Sequence, residues 1–181
     1  MRKIIAGEFV SVDGVIDAAG QLTSQYFNDE FQQYLAAGMA STDALLLGRV
    51  TYQEMGPHWE AQTGTDDPVA AHMSKPKYVV STTLNDTSEW SNSTLIKDNP
   101  AEQLRRLKEQ PGKNILAIGS ATLVRWLLRE RLADELDLLV FPVAIGHGKR
   151  LFGDEGSQIN LKLTVSEVFS TGVVHLTYSP A

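Results

Sequence analysis

The 181-residue chain contains no cysteine. This absence excludes disulfide bonds, thiolate nucleophiles and cysteine-ligated zinc or iron–sulfur sites. Long apolar runs are missing too: none approaches the ~18 residues of a membrane span, and the N-terminal sequence lacks the apolar core and cleavage site of a signal peptide. We therefore expect a cytoplasmic protein that has no membrane as its partner.

Positive charge is scarce, since 16 lysines and arginines face 22 aspartates and glutamates, for a net charge of −6. We expect no nucleic-acid partner, because such proteins carry a basic surface that neutralises phosphates. The histidines show no metal-ligand spacing, so no metal site is predicted. Repeats and linker-like segments are also absent, and the length fits a single domain over residues 1–181.

Apolar runs of strand character alternate with helical segments along the chain. Strands are predicted over 3–12, 44–47, 77–82, 94–97, 115–118 and 135–143, and a terminal antiparallel hairpin over 161–169 and 173–178. Helices are predicted from Phe27 to a stop at Gly38, over 51–55 and 69–73, from an Asn99 N-cap to about 110, and after Gly119. Residues 13–25 are predicted as a loop. The alternation indicates an α/β fold of three layers, in which helices flank a mixed, mostly parallel sheet.

Polar and glycine-rich turns follow five of the predicted strands. In parallel sheets ligands collect at the carboxyl ends of the strands, so these turns predict a binding site there. The residues concerned are Asp13 with Gly14, Gly48 with Arg49, Ser81 with Thr82 and Thr83, Gly119 with Ser120, and Gly146 to Gly148.

The segment Gly119, Ser120, Ala121 and Thr122 lies between a strand and a helix. Such a junction presents free backbone N–H groups and a positive dipole end, and its small residues let a pyrophosphate approach closely. The alternative is plain helix capping by Ser120. The segment matches neither the G-x-G-x-x-G pattern nor a P-loop.

Arg49 follows a buried apolar strand and Gly48. A guanidinium binds phosphate in a bidentate fashion, and the Thr51 hydroxyl follows at the next helix start; a surface salt bridge is the alternative. Ser81 and Thr82 end a neighbouring strand and add hydroxyls, although turn chemistry and strand propensity also explain them. Arginine together with hydroxyls favours NADPH over NADH through the 2′-phosphate.

These motifs, in this order over nearly the whole chain, resemble the dihydrofolate reductase-like family. The similarity is greatest to the branch akin to the C-terminal reductase domain of riboflavin biosynthesis enzymes (RibD). It is carried by residues 11–14, 47–52, 78–81, 118–120 and 134–152. The resemblance implies a mixed central sheet, a homodimer, NADPH as the cofactor, and hydride transfer to a small heterocyclic or carbonyl substrate that is dihydrofolate-like or ribosylaminopyrimidine-like.

The resemblance also implies roles for single residues. Arg49 and Thr51 match the cofactor-phosphate residues of the family, with Ser81 and Thr82 beside the adenosine phosphate. The segment from Gly119 to Thr122 matches the pyrophosphate turn. Val15 and Ile16 match the flexible segment that covers the nicotinamide.

Reduction of a C=N or C=O bond needs a proton as well as a hydride, so an acid is expected. The candidates are Asp13 and the pair Asp29 and Glu30, because dihydrofolate reductases place a carboxylate on the first helix. If Phe27 and Phe31 define the buried side of that helix, Glu30 lies nearer to it than Asp29. The alternatives are a turn role for Asp13 and a favourable interaction of the other two with the helix dipole.

His147 and Lys149 lie in the glycine-rich loop that follows the sixth strand. This loop either binds a phosphorylated substrate or forms a solvated turn. Deamination is not expected, since the zinc deaminase domain of riboflavin enzymes requires cysteines. The alternative to a reductase is a non-catalytic module of the same fold that binds NADPH or another ligand.

Overall fold

The structure is a computed structural model that describes residues 1–153 and 158–181. Its strands are β1 (Ile4–Ser11), β2 (Thr42–Gly48), β3 (Lys77–Val80), β4 (Ser93–Ile96), β5 (Asn114–Ala117), β6 (Glu135–Phe141), β7 (Leu161–Val168) and β8 (Val174–Pro180). They form one sheet in the order β4-β3-β2-β5-β1-β6-β8-β7. The first six run parallel, while β8 is antiparallel to both β6 and β7. The predicted fold class and the terminal hairpin are confirmed.

Helices cover both faces of the sheet: α1 (Ala19–Ser24), α2 (Asp29–Ser41), α3 (Arg49–Ala61), α4 (Pro68–Met73), α5 (Pro100–Glu109) and α6 (Ala121–Arg129). Because strand residues alternate between faces, Leu46 packs with α5 and α6, whereas Leu45 and Leu47 pack with α3 and α4. Phe31 of α2 and Phe141 belong to a third cluster with α1. No helix among the described residues is long and apolar enough to cross a membrane.

Three predictions about the first helices were wrong. The predicted loop 13–25 contains α1, a helix of six residues in which Leu22 is buried, and such a helix is too short to show a helical period in the sequence. Helix α2 does not stop at Gly38 but continues to Ser41, since a glycine inside a helix costs only about 1 kcal/mol and this one faces open space. Phe27 is 56% exposed and precedes α2, so it does not define its buried side.

The third and fifth helices also differ from the prediction. Helix α3 extends from Arg49 to Ala61, past both Gly56 and Pro57, instead of covering 51–55. Gly56 is buried, and a Cβ there would lie 3.5 Å from Trp90, so the helix packs against this side chain at Gly56. Asn99 precedes α5 as predicted, but its φ is +46° and its side chain makes no capping hydrogen bond. Asparagine tolerates this left-handed region better than most residues.

Candidate functional site

The five polar turns lie side by side along one edge of the sheet. Gly48 pairs with Val80, Leu46 with Ala117, and Ser11 with Phe141 in the parallel ladders. The carboxyl ends of β3, β2, β5, β1 and β6 therefore follow one another. From one side to the other, this carboxyl edge presents Ser81, Arg49, Gly119, Asp13 and Gly146.

The turns after β2 and β5 are packed directly against each other. Thr51 is buried and its hydroxyl donates to the Gly119 carbonyl oxygen at 2.9 Å. Gly119 has φ +73°, and a Cβ there would lie 2.7 Å from Thr51 Cγ2. A Cβ on Gly48 would lie 2.8 Å from Ser120 Oγ. The Thr51 hydroxyl proton is thus committed to a carbonyl oxygen and is not available to a phosphate.

Helix α6 begins at the exposed end of this junction. Ser120 is its N-cap, and Ser120 Oγ accepts from the Leu123 N–H at 3.3 Å. The first N–H groups of a helix have no partner within it, so those of Ala121 and Thr122 remain for a ligand. Capping and anion binding, the two alternatives from the sequence, are therefore compatible at this turn.

Arg49 starts α3 next to this turn and is exposed. Its Nη1 donates to Gln53 Oε1 at 2.9 Å, and none of the ion pairs among residues 1–153 and 158–181 includes it. The guanidinium keeps donors for an anion. Ser81 is buried, and its Oγ accepts from the N–H groups of Thr83 and Leu84, whereas Thr82 is exposed.

Asp13 joins the turns after β1 and β6. Its carboxylate accepts hydrogen bonds from Ser11 Oγ at 2.6 Å, the Ile145 N–H at 3.1 Å and the Gly146 N–H at 2.7 Å. These hydrogen bonds hold the pKa of Asp13 well below its usual value. An acid must carry a proton to donate one, so this environment suits a structural carboxylate, and the catalytic role of Asp13 stays a prediction.

The segment that contains Val15 and Ile16 is held by the loop after β6. The Ile16 N–H donates to the Lys149 carbonyl oxygen and the Leu151 N–H to that of Gly14, both at 2.8 Å. Val15 and Ile16 are buried in this arrangement, while Lys149 and the nearby His147 are exposed. The segment that resembles a flexible cover is therefore paired with the basic loop.

Glu30 faces the turn of the terminal hairpin. Its carboxylate accepts from the Ser170 N–H at 2.8 Å and from Ser170 Oγ at 2.7 Å, and these bonds lower its pKa. Asp29 is exposed at the first position of α2. The N-cap Asn28 accepts from the Phe31 N–H at 2.9 Å. Asn28 thus caps α2 and Glu30 joins it to the hairpin turn, while the catalytic role of Asp29 and Glu30 stays a prediction.

Sequence reasoning missed Glu8, a buried acid in the middle of β1. Its side chain is 6% exposed, and its Oε1 has no hydrogen-bond partner among the described residues. Burial raises the pKa of Glu8 to about 8, although the N–H groups of Ser120 and Gly119, which face the carboxyl, act in the opposite direction. A signal was present: Glu8 shares the strand face of Ile4, Ala6 and Val10, so alternation alone predicts burial.

A groove of about 540 Å³ lies elsewhere, between β3, β4 and α5. None of the predicted site residues lines it. The described part of the chain also contains no group of three or more histidine, aspartate or glutamate side chains that could hold a metal ion. The carboxyl edge therefore remains the candidate site.

Sequence similarity identifies the family of the chain. A model of the RibD C-terminal domain matches residues 2–175. The chain belongs to this family. It is 32% identical over 183 aligned residues to the uncharacterized protein YyaP of Bacillus subtilis, covering 98% of this chain and 94% of that protein. A second Bacillus subtilis protein, YwjB, is 31% identical over 95% of both chains.

Solved structures share the fold of this RibD C-terminal domain. A putative riboflavin biosynthesis protein from Shewanella sp. PV-4 superposes with a TM-score of 0.73 and 24% identity over 99% of both chains. A diaminohydroxyphosphoribosylaminopyrimidine deaminase/5-amino-6-(5-phosphoribosylamino)uracil reductase from Thermotoga maritima superposes with a TM-score of 0.66 and 16% identity. The match covers 99% of this chain but 57% of that one. The expected dihydrofolate reductase-like fold is confirmed.

Proposed function

We propose that this protein is an NADPH-dependent reductase of a small heterocyclic or carbonyl substrate. The observation that carries the proposal is the junction of Arg49 with the start of α6. An exposed guanidinium that forms no ion pair with any described residue lies beside a helix N-terminus, and the hydrogen bond from Thr51 joins the two turns. Membership of the RibD C-terminal family supports the reductase class, because the Thermotoga maritima neighbour includes a reductase.

The residues at this junction suit NADPH. Gly119 lets the turn pack closely against Thr51, since a Cβ there would lie 2.7 Å from Thr51 Cγ2. The N–H groups of Ala121 and Thr122 would hold the pyrophosphate, and Arg49 would hold the 2′-phosphate with the exposed Thr82 nearby. The cofactor would supply the hydride, while the protein orients it and neutralises its charge.

We propose a dihydrofolate-like or ribosylaminopyrimidine-like substrate. His147 and Lys149 are exposed on the loop after β6, where they can attract a phosphorylated substrate. We also propose that the protein works as a homodimer in the cytoplasm. Strand β7 supports a dimer, because Leu163, Val165 and Val168 on this edge strand are exposed, and exposed apolar edges favour pairing with another chain.

Replacement of Arg49 tests the cofactor assignment. We expect Arg49→Ala to weaken NADPH binding by about 10- to 100-fold, because a charge-assisted hydrogen bond contributes about 1.5–3 kcal/mol. NADH binding should stay within about twofold, since NADH has no 2′-phosphate. Fluorescence titration of both cofactors measures this difference.

Arg105→Ala is the matched control, because it removes an exposed arginine from α5 and should leave both affinities unchanged. Equal affinity of the wild-type protein for NADPH and NADH would contradict the proposal. So would an unchanged NADPH affinity in Arg49→Ala.

A non-catalytic binding module is the second candidate function. It is favoured by the hydrogen bonds that hold Asp13 and Glu30 as carboxylates, because neither is then ready to donate a proton. A hydride-transfer assay that follows NADPH absorbance with dihydrofolate and with ribosylaminopyrimidine substrates separates the two. Turnover would establish a reductase, whereas NADPH binding without turnover on any of them would favour the module.

A further inference from the structure

Glu8 lies directly beneath the turn that begins α6. Register pairs Ala6 with Ala117, so Glu8 comes level with Gly119 across the parallel ladder. Only 6% of the side chain is exposed, and Oε1 is buried without a partner among the described residues. This unpartnered acid faces the N-terminal turn of α6, a helix of nine residues.

The backbone of the turn is divided between the inside and the outside of the protein. The N–H groups of Gly119 and Ser120 face the carboxyl of Glu8, and the Gly119 carbonyl accepts from Thr51. The N–H groups of Ala121 and Thr122 remain for a ligand on the outer side. Glu8 therefore lies under the inner side of a turn whose outer side can bind an anion.

We propose that Glu8 is a positioning residue for the anionic ligand of this turn, and that its carboxyl must hold a proton while the anion is bound. The inference rests on the proposed function for the identity of the ligand, the pyrophosphate of NADPH. An ionised Glu8 would place a negative charge behind the same short turn, and like charges in a poorly solvated site repel strongly. Neutral Glu8 leaves the dipole of α6 free to attract the ligand.

Other charged groups around the turn have partners of their own. On α3, Arg49 donates to Gln53; on α6, Arg125 donates to the Leu151 carbonyl oxygen; after β1, Asp13 accepts from Ile145 and Gly146. None of them contributes to the raised pKa of Glu8, which comes from burial. On the neighbouring strand β6, the residue paired with Glu8 is the uncharged Leu138. The proton on Glu8 is therefore governed by burial and by the charge of what binds the turn.

The test is NADPH affinity between pH 7 and pH 10 in the wild-type protein and in Glu8→Gln. Wild-type affinity should fall on the order of tenfold across this range as Glu8 ionises. Affinity of Glu8→Gln, which stays neutral, should hold constant. Lys77, whose pKa burial lowers to about 8, titrates in both proteins, so the difference between them isolates Glu8. Glu102→Gln, on the surface of α5, is the control that should behave like the wild type.

A second measurement needs no variant. Calorimetric titration of the wild-type protein at pH 9, in buffers of different ionisation enthalpy, should show uptake of about half a proton for each NADPH bound. Equal pH dependence of the wild type and Glu8→Gln, or binding without proton uptake at pH 9, would overturn the inference.

Parallel titrations with ADP separate this inference from the proposed function. ADP carries a pyrophosphate but no nicotinamide and no 2′-phosphate. If ADP binds with the expected pH dependence while NADPH binds no better than NADH, the proposed function fails and the role of Glu8 stands. If neither ADP nor NADPH binds at pH 7, both are overturned.

Discussion

Gly119→Ala is expected to lower the free energy of unfolding by about 3 kcal/mol and to remove cofactor binding. At φ +73° an L-residue costs roughly 1–2 kcal/mol. The new Cβ would also lie 2.7 Å from Thr51 Cγ2, and overpacking of a filled site adds about 1–3 kcal/mol. Thr51 cannot rotate away without losing its hydrogen bond to the Gly119 carbonyl oxygen. Urea unfolding and NADPH titration measure the two effects.

Gly64→Ala is the matched control, because Gly64 has φ +84° but no atom within 4 Å of a new Cβ. This variant should lose only the roughly 1–2 kcal/mol of stability that an L-residue costs at positive φ, and it should bind NADPH like the wild type. The double variant Thr51→Ser/Gly119→Ala removes the clashing methyl and keeps the hydroxyl, so it should recover about 1–2 kcal/mol. Equal destabilisation by the two glycine replacements would show that the contact with Thr51 has no energetic importance.

Asp137→Ala is expected to lower the free energy of unfolding by about 3 kcal/mol, because the partners of this partly buried, hydrogen-bonded carboxylate would be left without an acceptor. Asp137 Oδ1 contacts His175 Nε2 at 2.6 Å and accepts from Thr177 Oγ1 at 2.9 Å, while Oδ2 accepts from Tyr34 Oη at 2.6 Å. The three partners come from β8 and α2, so this carboxylate joins the helix to the sheet. Glu135→Ala on the same strand breaks a half-exposed pair with Lys3 and should cost under about 1 kcal/mol.

The difference in the free energy of unfolding between the wild-type protein and Asp137→Ala should depend on pH. Hydrogen bonding to Asp137 raises the pKa of His175 above 6.5 in the folded protein. The stabilisation of the fold by protonated His175 is therefore complete below pH 6.5 and is lost as the pH rises through this raised pKa. Burial opposes ionisation of Asp137, but the bonds from His175 and Tyr34 prevail and lower its pKa below 3.8. The stabilisation of the fold by ionised Asp137 is therefore present above pH 3.8 and is lost as the pH falls through its lowered pKa. Urea unfolding should show the largest difference between these limits, and a flat difference would contradict the prediction.

The parts of the fold that sequence predicted well depend on local chemistry. The alternation of apolar runs gave the strands, and the glycine and polar pairs after them gave the carboxyl edge, because parallel strands bring such turns together whatever their exact length. The hairpin turn at Ser170 and Gly172 and the first position of α5 at Pro100 follow the same kind of rule.

The parts that were missed depend on contacts between distant residues. Gly56 of α3 is buried against Trp90, more than thirty residues later. The pairing of Ile16 with Lys149 requires a register between loops that no local pattern specifies. Glu8 was treated as one more strand residue, and its importance emerges only when the turn at Gly119 and Ser120 is seen to lie over it.

The hydrogen bond from Thr51 to Gly119 has a consequence for the thermodynamics of binding. Thr51 comes two residues after Arg49, and Gly119 comes two residues before Ala121, so the bond fixes the separation of the guanidinium from the helix N–H groups before any ligand arrives. A ligand with two anionic groups then meets a preorganised pair of subsites and does not have to order one of them. Less conformational entropy is lost on binding, and affinity rises without any additional contact.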